Sequence, residues 1–321
     1  MEYRKLGRSG LEVSSLSFGG NILGWTADEP TSFTILDAFV AAGGNFIDTA
    51  DVYARFAPGL EGGESETVLG KWLKLRNNRE KLVIATKVGE DMGPRGKGLS
   101  RQHIVQSVED SLRRLQTDYI DLYQSHLNDK DVPLEETLET YAELIRQGKV
   151  RAIGASNYDA AGLLRALQVS AEHGYPRYES LQPPYNLYDR ATYEGGLEQA
   201  CQEHDLGVIT YFSLASGFLS GKYRSEADLA NRPRSMFVKK YLDERGLRVL
   251  AVLDEAAKAY NASLTQISLA WILARPSVTA PIVSATTVEQ LHDIIKATEI
   301  KLDAAAVERL NQASALDTVV K

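Results

Sequence analysis

The 321-residue chain is 44% hydrophobic and 25% charged, the balance of a globular protein able to bury a core without crosslinks. Its formal net charge of −7 argues against a nucleic-acid surface, no apolar run approaches the roughly 20 residues that span a bilayer, and the first residues, Met1 to Arg8, lack the apolar stretch of a signal peptide. The single cysteine, Cys201, can form no internal disulfide and reads as a small buried apolar group, so the expectation is a soluble cytoplasmic protein without membrane or nucleic-acid partners.

Residues 1–14 carry Gly7, Ser9 and Gly10 and suit a hairpin closing a barrel floor. A first strand at Ser15–Phe18 opens an alternation of β-rich runs and amphipathic helices. The later runs are Asn45–Asp48, Leu82–Lys87, Tyr119–Ser125, Val150–Ser156, Glu179–Gln182, Gly207–Tyr211 and Ala280–Ser284. Between them, Ile104, Val108, Leu112 and Leu115 share one helix face, and Leu134, Leu138, Tyr141 and Ile145 another. Ser100 is expected to cap the first of these helices. Pro133 fits the first position of the second, and Gly148 fits its end. Thr287 to Gln290 reads as a capping box before Leu291. Residues 212–246 form a long connection after the seventh strand, and connections of that length are usually functional or disordered.

Eight strands alternating with helices predict a parallel sheet. An open doubly wound sheet obeys the same rule. The even spacing of eight units and the lack of a glycine-rich dinucleotide fingerprint after any strand favour a closed (β/α)8 TIM barrel, with residues 1–321 as one domain.

Barrel enzymes build their sites where strands end. The expected strand ends here are Asp48, Lys87, His126, Ser156 with Asn157, Gln182 and Tyr211. Nearly all are polar, and six converging on one face outweigh the ordinary preference of turns for such residues. A phenol titrates near pH ~10, but an ammonium beside it stabilises the phenolate. That ammonium in turn needs a carboxylate to sit in a partly dry cleft. Tyr53, Lys87 and Asp48 supply the three parts, and His126 can hydrogen-bond a substrate oxygen. Taken singly, each has a plainer reading: a cap for Asp48, a loop aromatic for Tyr53, a solvated Lys87 and a core His126.

With these residues in view the chain resembles the aldo-keto reductases. Asp48-Thr-Ala-Asp-Val-Tyr53 is similar to that family's D-T-A-x-x-Y segment. Thr86-Lys87 is similar to the close of its third strand, and Asp118 to His126 to its D-Y-I-D-L-Y-x-x-H. Gly154 to Asn157 resembles G-x-S-N, and Gln182 to Asn186 resembles Q-x-x-Y-N. The matches run in order from Leu6 to Gln290. The G-x-L-x-G-K form ending at Lys222 resembles bacterial reductases and potassium-channel β subunits.

The resemblance implies a catalytic set of Asp48, Tyr53, Lys87 and His126, with Tyr53 the general acid. It implies that Ser156, Asn157 and Gln182 hold the nicotinamide carboxamide and that Tyr211 stacks on the ring. Gly20, Asn21 and Asp48 join the cofactor set. Phe212, Ser213, Leu214, Ala215, Gly217 and Lys222 belong to a loop over the pyrophosphate. Ser284, Thr286, Gln290 and Arg232 fall to the adenosine end, where Arg234 is a further candidate. NADP(H) is the favoured cofactor and NAD(H) the alternative, since no basic residue stands near Ser284 or Thr286. Ile294 also departs from the family's usual asparagine. No metal is implied.

Two departures bear on substrate. Ala54 replaces the glycine that often follows the tyrosine, and the insert Arg55 to Gly63 lengthens the adjoining loop. Phe56 and Leu60, with Trp25, Tyr188 and Phe218, are candidates to wall an apolar pocket or to pack on the barrel rim. The implied activity is hydride transfer between NADP(H) and an aldehyde, ketone or sugar carbonyl, or the corresponding alcohol. The alternatives are a cofactor-binding regulatory subunit resembling channel β subunits and a hydrolase or aldolase using Lys87 as a Schiff-base amine. The last leaves Ser156, Asn157, Gln182 and the phosphate loop unexplained.

Overall fold

Side chains along a strand alternate between two faces, and in this chain that alternation separates two cores. The structure, a computed structural model, describes residues 1–230 and 235–316. Strands β1 (Tyr3–Lys5) and β2 (Glu12–Ser14) form an antiparallel hairpin. Eight more follow: β3 (Ser17–Gly19), β4 (Phe46–Asp48), β5 (Val83–Val88), β6 (Ile120–Ser125), β7 (Val150–Ser156), β8 (Tyr178–Gln182), β9 (Gly207–Thr210) and β10 (Ala280–Val283). These close into a barrel in the order β10-β3-β4-β5-β6-β7-β8-β9, every pair parallel. The expected (β/α)8 barrel is the fold. Its first strand begins two residues later than the Ser15 expected from the sequence.

One face of the strands contributes Phe46, Val83, Ala85, Leu122, Ala152, Ile209 and Ala280 to a small buried cluster. Leu6, Leu11 and Val13 from the hairpin join it, so the hairpin plugs the barrel at the N-terminal ends of its strands. The turn there requires glycine: Gly7 has φ +55°, and a Cβ on it would lie 2.2 Å from the Glu179 carbonyl oxygen. The alternate residues, among them Ile47, Ile84, Tyr123, Ile153, Leu181, Val208 and Val283, belong to a larger core shared with the helices. Ile104, Val108, Leu112 and Leu115 from helix Arg101–Leu115 enter that core. Each fully buried aliphatic side chain contributes roughly 1.5–3 kcal/mol.

The local signals behave as their chemistry requires, with two corrections. Ser100 accepts a hydrogen bond from the His103 N–H at the start of its helix, and Gly148, at φ +74°, follows the helix Leu134–Arg146. Pro133 is the cap of that helix rather than its first residue, with an extended ψ of 135°. The box at Thr287 is only half formed. Thr287 accepts from the Gln290 N–H, but the Gln290 side chain accepts from Thr286 instead of returning to Thr287.

The long connection after β9 carries short helical turns at Ala215–Ser220, Glu226–Leu229, Ser235–Val238 and Lys239–Tyr241. Cys201 is 1% exposed, and burial pushes its thiol up to about 12, so it serves as packing. Among the described residues no helix is long and apolar enough to cross a membrane.

Candidate active site

The inward alternation that is apolar at the barrel floor turns polar at the rim. Phe46 is followed inward by Asp48, Ala85 by Lys87, Leu122 by Gln124 and Ala152, past Gly154, by Ser156. Strand register sets these ends side by side, with Lys87 opposite Gln124 and Ser156 opposite Gln182. Asp48 and Lys87 are 1% and 0% exposed.

Lys87 Nζ donates to Asp48 Oδ2 at 2.6 Å, to the Tyr53 hydroxyl oxygen at 2.8 Å and to the Thr49 carbonyl at 2.8 Å. An ammonium has three N–H donors, and all three are used. A Schiff-base role would need that nitrogen free. The other Asp48 oxygen accepts from Gln182 Nε2 at 2.8 Å and Gln124 Nε2 at 3.2 Å. Tyr53 is brought in by a tight turn after β4, in which the Arg55 N–H reaches the Val52 carbonyl at 3.0 Å and Ala54 takes φ +80°. That left-handed backbone explains why glycine suits the position.

The electrostatics differ from expectation at one point. Burial, aided by the Asp48 carboxylate, pushes the Tyr53 phenol well above its usual range, whereas the sequence suggested that Lys87 would lower it. Tyr53 is therefore a protonated donor in this state. Burial lowers Lys87, with Asp48 opposing that shift. Burial and the nearby Lys87 charge hold His126 well below the usual imidazole range, so it is neutral. The His126 ring meets Tyr53 edge-on with centroids 6.1 Å apart, and its Nδ1 is buried with no hydrogen-bond partner among the described residues. Chemically the arrangement can deliver a proton from Tyr53 and stabilise the phenolate left behind.

The residues expected around a nicotinamide gather beside this group but are engaged with one another. Ser156 Oγ donates to the Gln182 carbonyl at 2.9 Å. Asn157 Nδ2 donates to the His126 carbonyl at 2.9 Å, and its Oδ1 accepts from the Tyr211 hydroxyl at 2.7 Å. The following loop is held in an unusual backbone, with positive φ at Phe212, Ala215, Ser216 and Gly217. Ser213 Oγ pins the loop to β10 by donating to the Ile282 carbonyl at 2.9 Å. Leu214 packs against the helix-side core. A Cβ on Gly217 would lie 3.2 Å from Lys222 Nζ, so the two are neighbours.

Gly20 lies under Asp48, where a Cβ would sit 3.1 Å from the Asp48 carbonyl oxygen. Asn21 Oδ1 accepts from Ser284 Oγ at 2.8 Å, linking the β3 and β10 ends. Thr286 donates from N and Oγ1 to Gln290 Oε1, both at 3.0 Å. Arg232 and Arg234 lie outside the described residues.

On the substrate side, Trp25 and Phe56 stack edge-to-face at 4.8 Å, and Phe56 remains 58% exposed. Tyr188 does not join them. Its hydroxyl donates to Asp243 Oδ2 at 2.6 Å, and its ring lies 3.6 Å beneath the Arg245 guanidinium carbon. Phe218 is fully buried and stacked on Tyr241 at 5.4 Å, so it belongs to the core and not to a pocket wall. The sequence reading missed Gln124 and Asp51. Gln124 was recoverable, since it stands two residues before His126 on the inward face of β6. Asp51 carried no signal beyond its place between Asp48 and Tyr53.

The sequence model of the Aldo/keto reductase family matches residues 15–315. The chain is similar to the uncharacterized oxidoreductase YrpG of Bacillus subtilis, at 38% identity over 97% of this chain and 95% of the relative. It is 33% identical to a probable voltage-gated potassium channel subunit beta of Oryza sativa subsp. japonica, over 94% and 92% of the two chains. It is 31% identical to L-glyceraldehyde 3-phosphate reductase of Escherichia coli K12, over 92% and 87%.

Proposed function

The chain belongs to the aldo/keto reductase family, and from that premise we propose that it reduces a small-molecule aldehyde, ketone or sugar carbonyl with NADP(H), using Tyr53 as general acid. The observation that carries this reading is the continuous chain Asp48–Lys87–Tyr53, with Lys87 Nζ at 2.6 Å from the carboxylate and 2.8 Å from the phenol oxygen.

The surroundings fit a dinucleotide. Ser156, Asn157 and Gln182 offer amide and hydroxyl groups beside the tetrad of Asp48, Tyr53, Lys87 and His126. The positive-φ run from Phe212 to Gly217 is of the kind that presents backbone N–H groups to phosphate. The bound nicotinamide would supply hydride to the carbonyl carbon. Tyr53 gives its proton to the carbonyl oxygen in the same conversion, so one hydride and one proton turn C=O into CH–OH. Lys87 holds the resulting phenolate by charge, and Asp48 holds Lys87. Neutral His126 orients the carbonyl oxygen by a hydrogen bond without adding a competing charge.

NADP(H) is favoured over NAD(H) because Thr286 and Thr287 stand at the N-terminus of helix Val288–Lys296, where anions are stabilised. Trp25 and Phe56 would line the substrate entrance. A carbonyl panel scored by NADPH and NADH oxidation tests the reading, with Tyr53→Phe as control. Turnover unchanged in that variant would remove the acid assignment, and turnover with NADH far above NADPH would overturn the cofactor choice.

The likeness to channel β subunits supports a second reading as a cofactor-binding regulatory subunit. Pull-down of a stoichiometric membrane partner, with no turnover across the panel, would favour it.

A further inference from the structure

Behind the barrel wall, on the far side of β5 from the tetrad's opening, lies a second buried ionic cluster that the proposed reaction does not use. Thr86 alternates with Lys87 and faces outward, donating to Glu66 Oε1 at 2.5 Å. Glu66 Oε2 accepts from Arg114 Nε at 2.7 Å. Arg114 is thus directed to Glu66, and to Ser111 Oγ at 3.3 Å. Asp51 is beside them, 2% exposed, and neither carboxyl oxygen has a hydrogen-bond partner among the described residues. Its backbone N–H donates to the Lys87 carbonyl at 3.3 Å, which ties its position to the lysine.

A carboxylate buried without a donor is costly, and the group takes up a proton instead. The charged and titratable groups that face Asp51 are Glu66 from helix Glu64–Arg76, Arg114 from helix Arg101–Leu115, Arg95 from the turn Gly93–Arg95, Lys87 from β5, Tyr123 from β6 and Tyr141 from helix Leu134–Arg146. The Tyr123 hydroxyl is itself buried without a hydrogen-bond partner among the described residues.

We propose that Asp51 is a positioning residue for the reductase reaction, held behind Lys87 as the neutral acid so that it adds nothing to the carboxylate charge that Asp48 and Glu66 place on the Lys87–Tyr53 pair. Burial and Glu66 push its carboxyl up to about 8. Loss of its proton would add a further negative charge near Lys87. That charge would offset the field of the Lys87 ammonium at Tyr53, the phenolate would be less stabilised, Tyr53 would become a weaker acid, and reduction would slow.

The inference rests on the reductase reading only for its kinetic arm. Difference infrared spectroscopy of 13C-aspartate-labelled protein needs no substrate. It should show a carboxylic-acid band at neutral pH that disappears near pH 8 and is missing in Asp51→Asn. Absence of that band from the wild type would overturn the proposal.

In the kinetic arm, the wild-type reduction rate should fall by roughly threefold or more from pH 7 to 9, whereas Asp51→Asn should hold within about twofold. Glu66→Gln, which frees Arg114 for Asp51, should move the break to lower pH and provides a second variant should Asp51→Asn not fold. Superimposable pH profiles for the wild type and either folded variant would contradict the positioning role while leaving the reductase reading intact.

Discussion

Asp48 and Asp121 are both strand aspartates buried to 1% exposure or less, yet they are satisfied in different ways. Asp121 faces outward near the start of β6. It accepts the Ile84 N–H at 2.9 Å and pairs with Arg79 at 2.7 Å and Arg151 at 2.6 Å. Arg79 is itself anchored to the Leu82 and Tyr119 carbonyls, so the network stitches β5, β6 and β7 and ends there. Asp48 faces inward at the rim. Its partners, Lys87 and Gln182, lead on to Tyr53 and to the strand ends around the opening. Similar buried charge pairs therefore finish in a structural knot in one case and at the Tyr53 hydroxyl, the proposed proton donor, in the other.

Four perturbations test that contrast. The largest effect is expected from Tyr53→Phe, which should cut carbonyl turnover by about 10²–10⁴-fold while leaving urea stability within about 1 kcal/mol. Asp121→Ala should do the reverse: removing the buried carboxylate partner of Arg79 costs about 3 kcal/mol by urea titration, half-exposed Arg151 adding little, with turnover of the folded fraction close to wild type. A large loss of turnover without loss of stability in Asp121→Ala would erase the distinction.

Asp51→Asn should alter how stability depends on pH. Burial and Glu66 push the folded carboxyl up to about 8 from about 3.9 in the unfolded chain, so the native state should hold the extra proton between those values. Wild-type stability should then decline relative to the variant as pH rises from about 4 to about 8, by up to about 1.4 kcal/mol per pH unit. Parallel stability curves would show that Asp51 is ionised in both states. The smallest effect is expected at the rim, where Phe56→Ala should raise KM for an apolar carbonyl several-fold, about 1 kcal/mol of contact, with kcat nearly unchanged.

Much of the fold was legible because β-strands announce themselves by composition and by where their apolar runs stop. All eight barrel strands fall within two residues of the expected positions, and Asp48 and Lys87 could be grouped from strand ends, with Tyr53 added by its side-chain chemistry from the loop after Asp48. What stayed hidden depended on direction and neighbours. Tyr188 and Phe218 look like pocket aromatics in sequence, but Tyr188 turns to Asp243 and Arg245 and Phe218 sinks beneath Tyr241. The shift at Tyr53 followed from its burial, which no local pattern reports. Asp51 was invisible because its isolation is created by Glu66 and Arg114, which lie on helices that meet it only in the folded state.

The most direct test of the central claim follows isotope rather than absorbance. NADPH deuterated at the transferring C4 position should pass its label to the carbonyl carbon of the product in the wild type. The label should come from one face of the nicotinamide only, and Tyr53→Phe should make less than about one hundredth as much labelled alcohol in the same time. Labelled product formed equally fast by Tyr53→Phe, or turnover in which the product carbon carries no deuterium, would contradict the account.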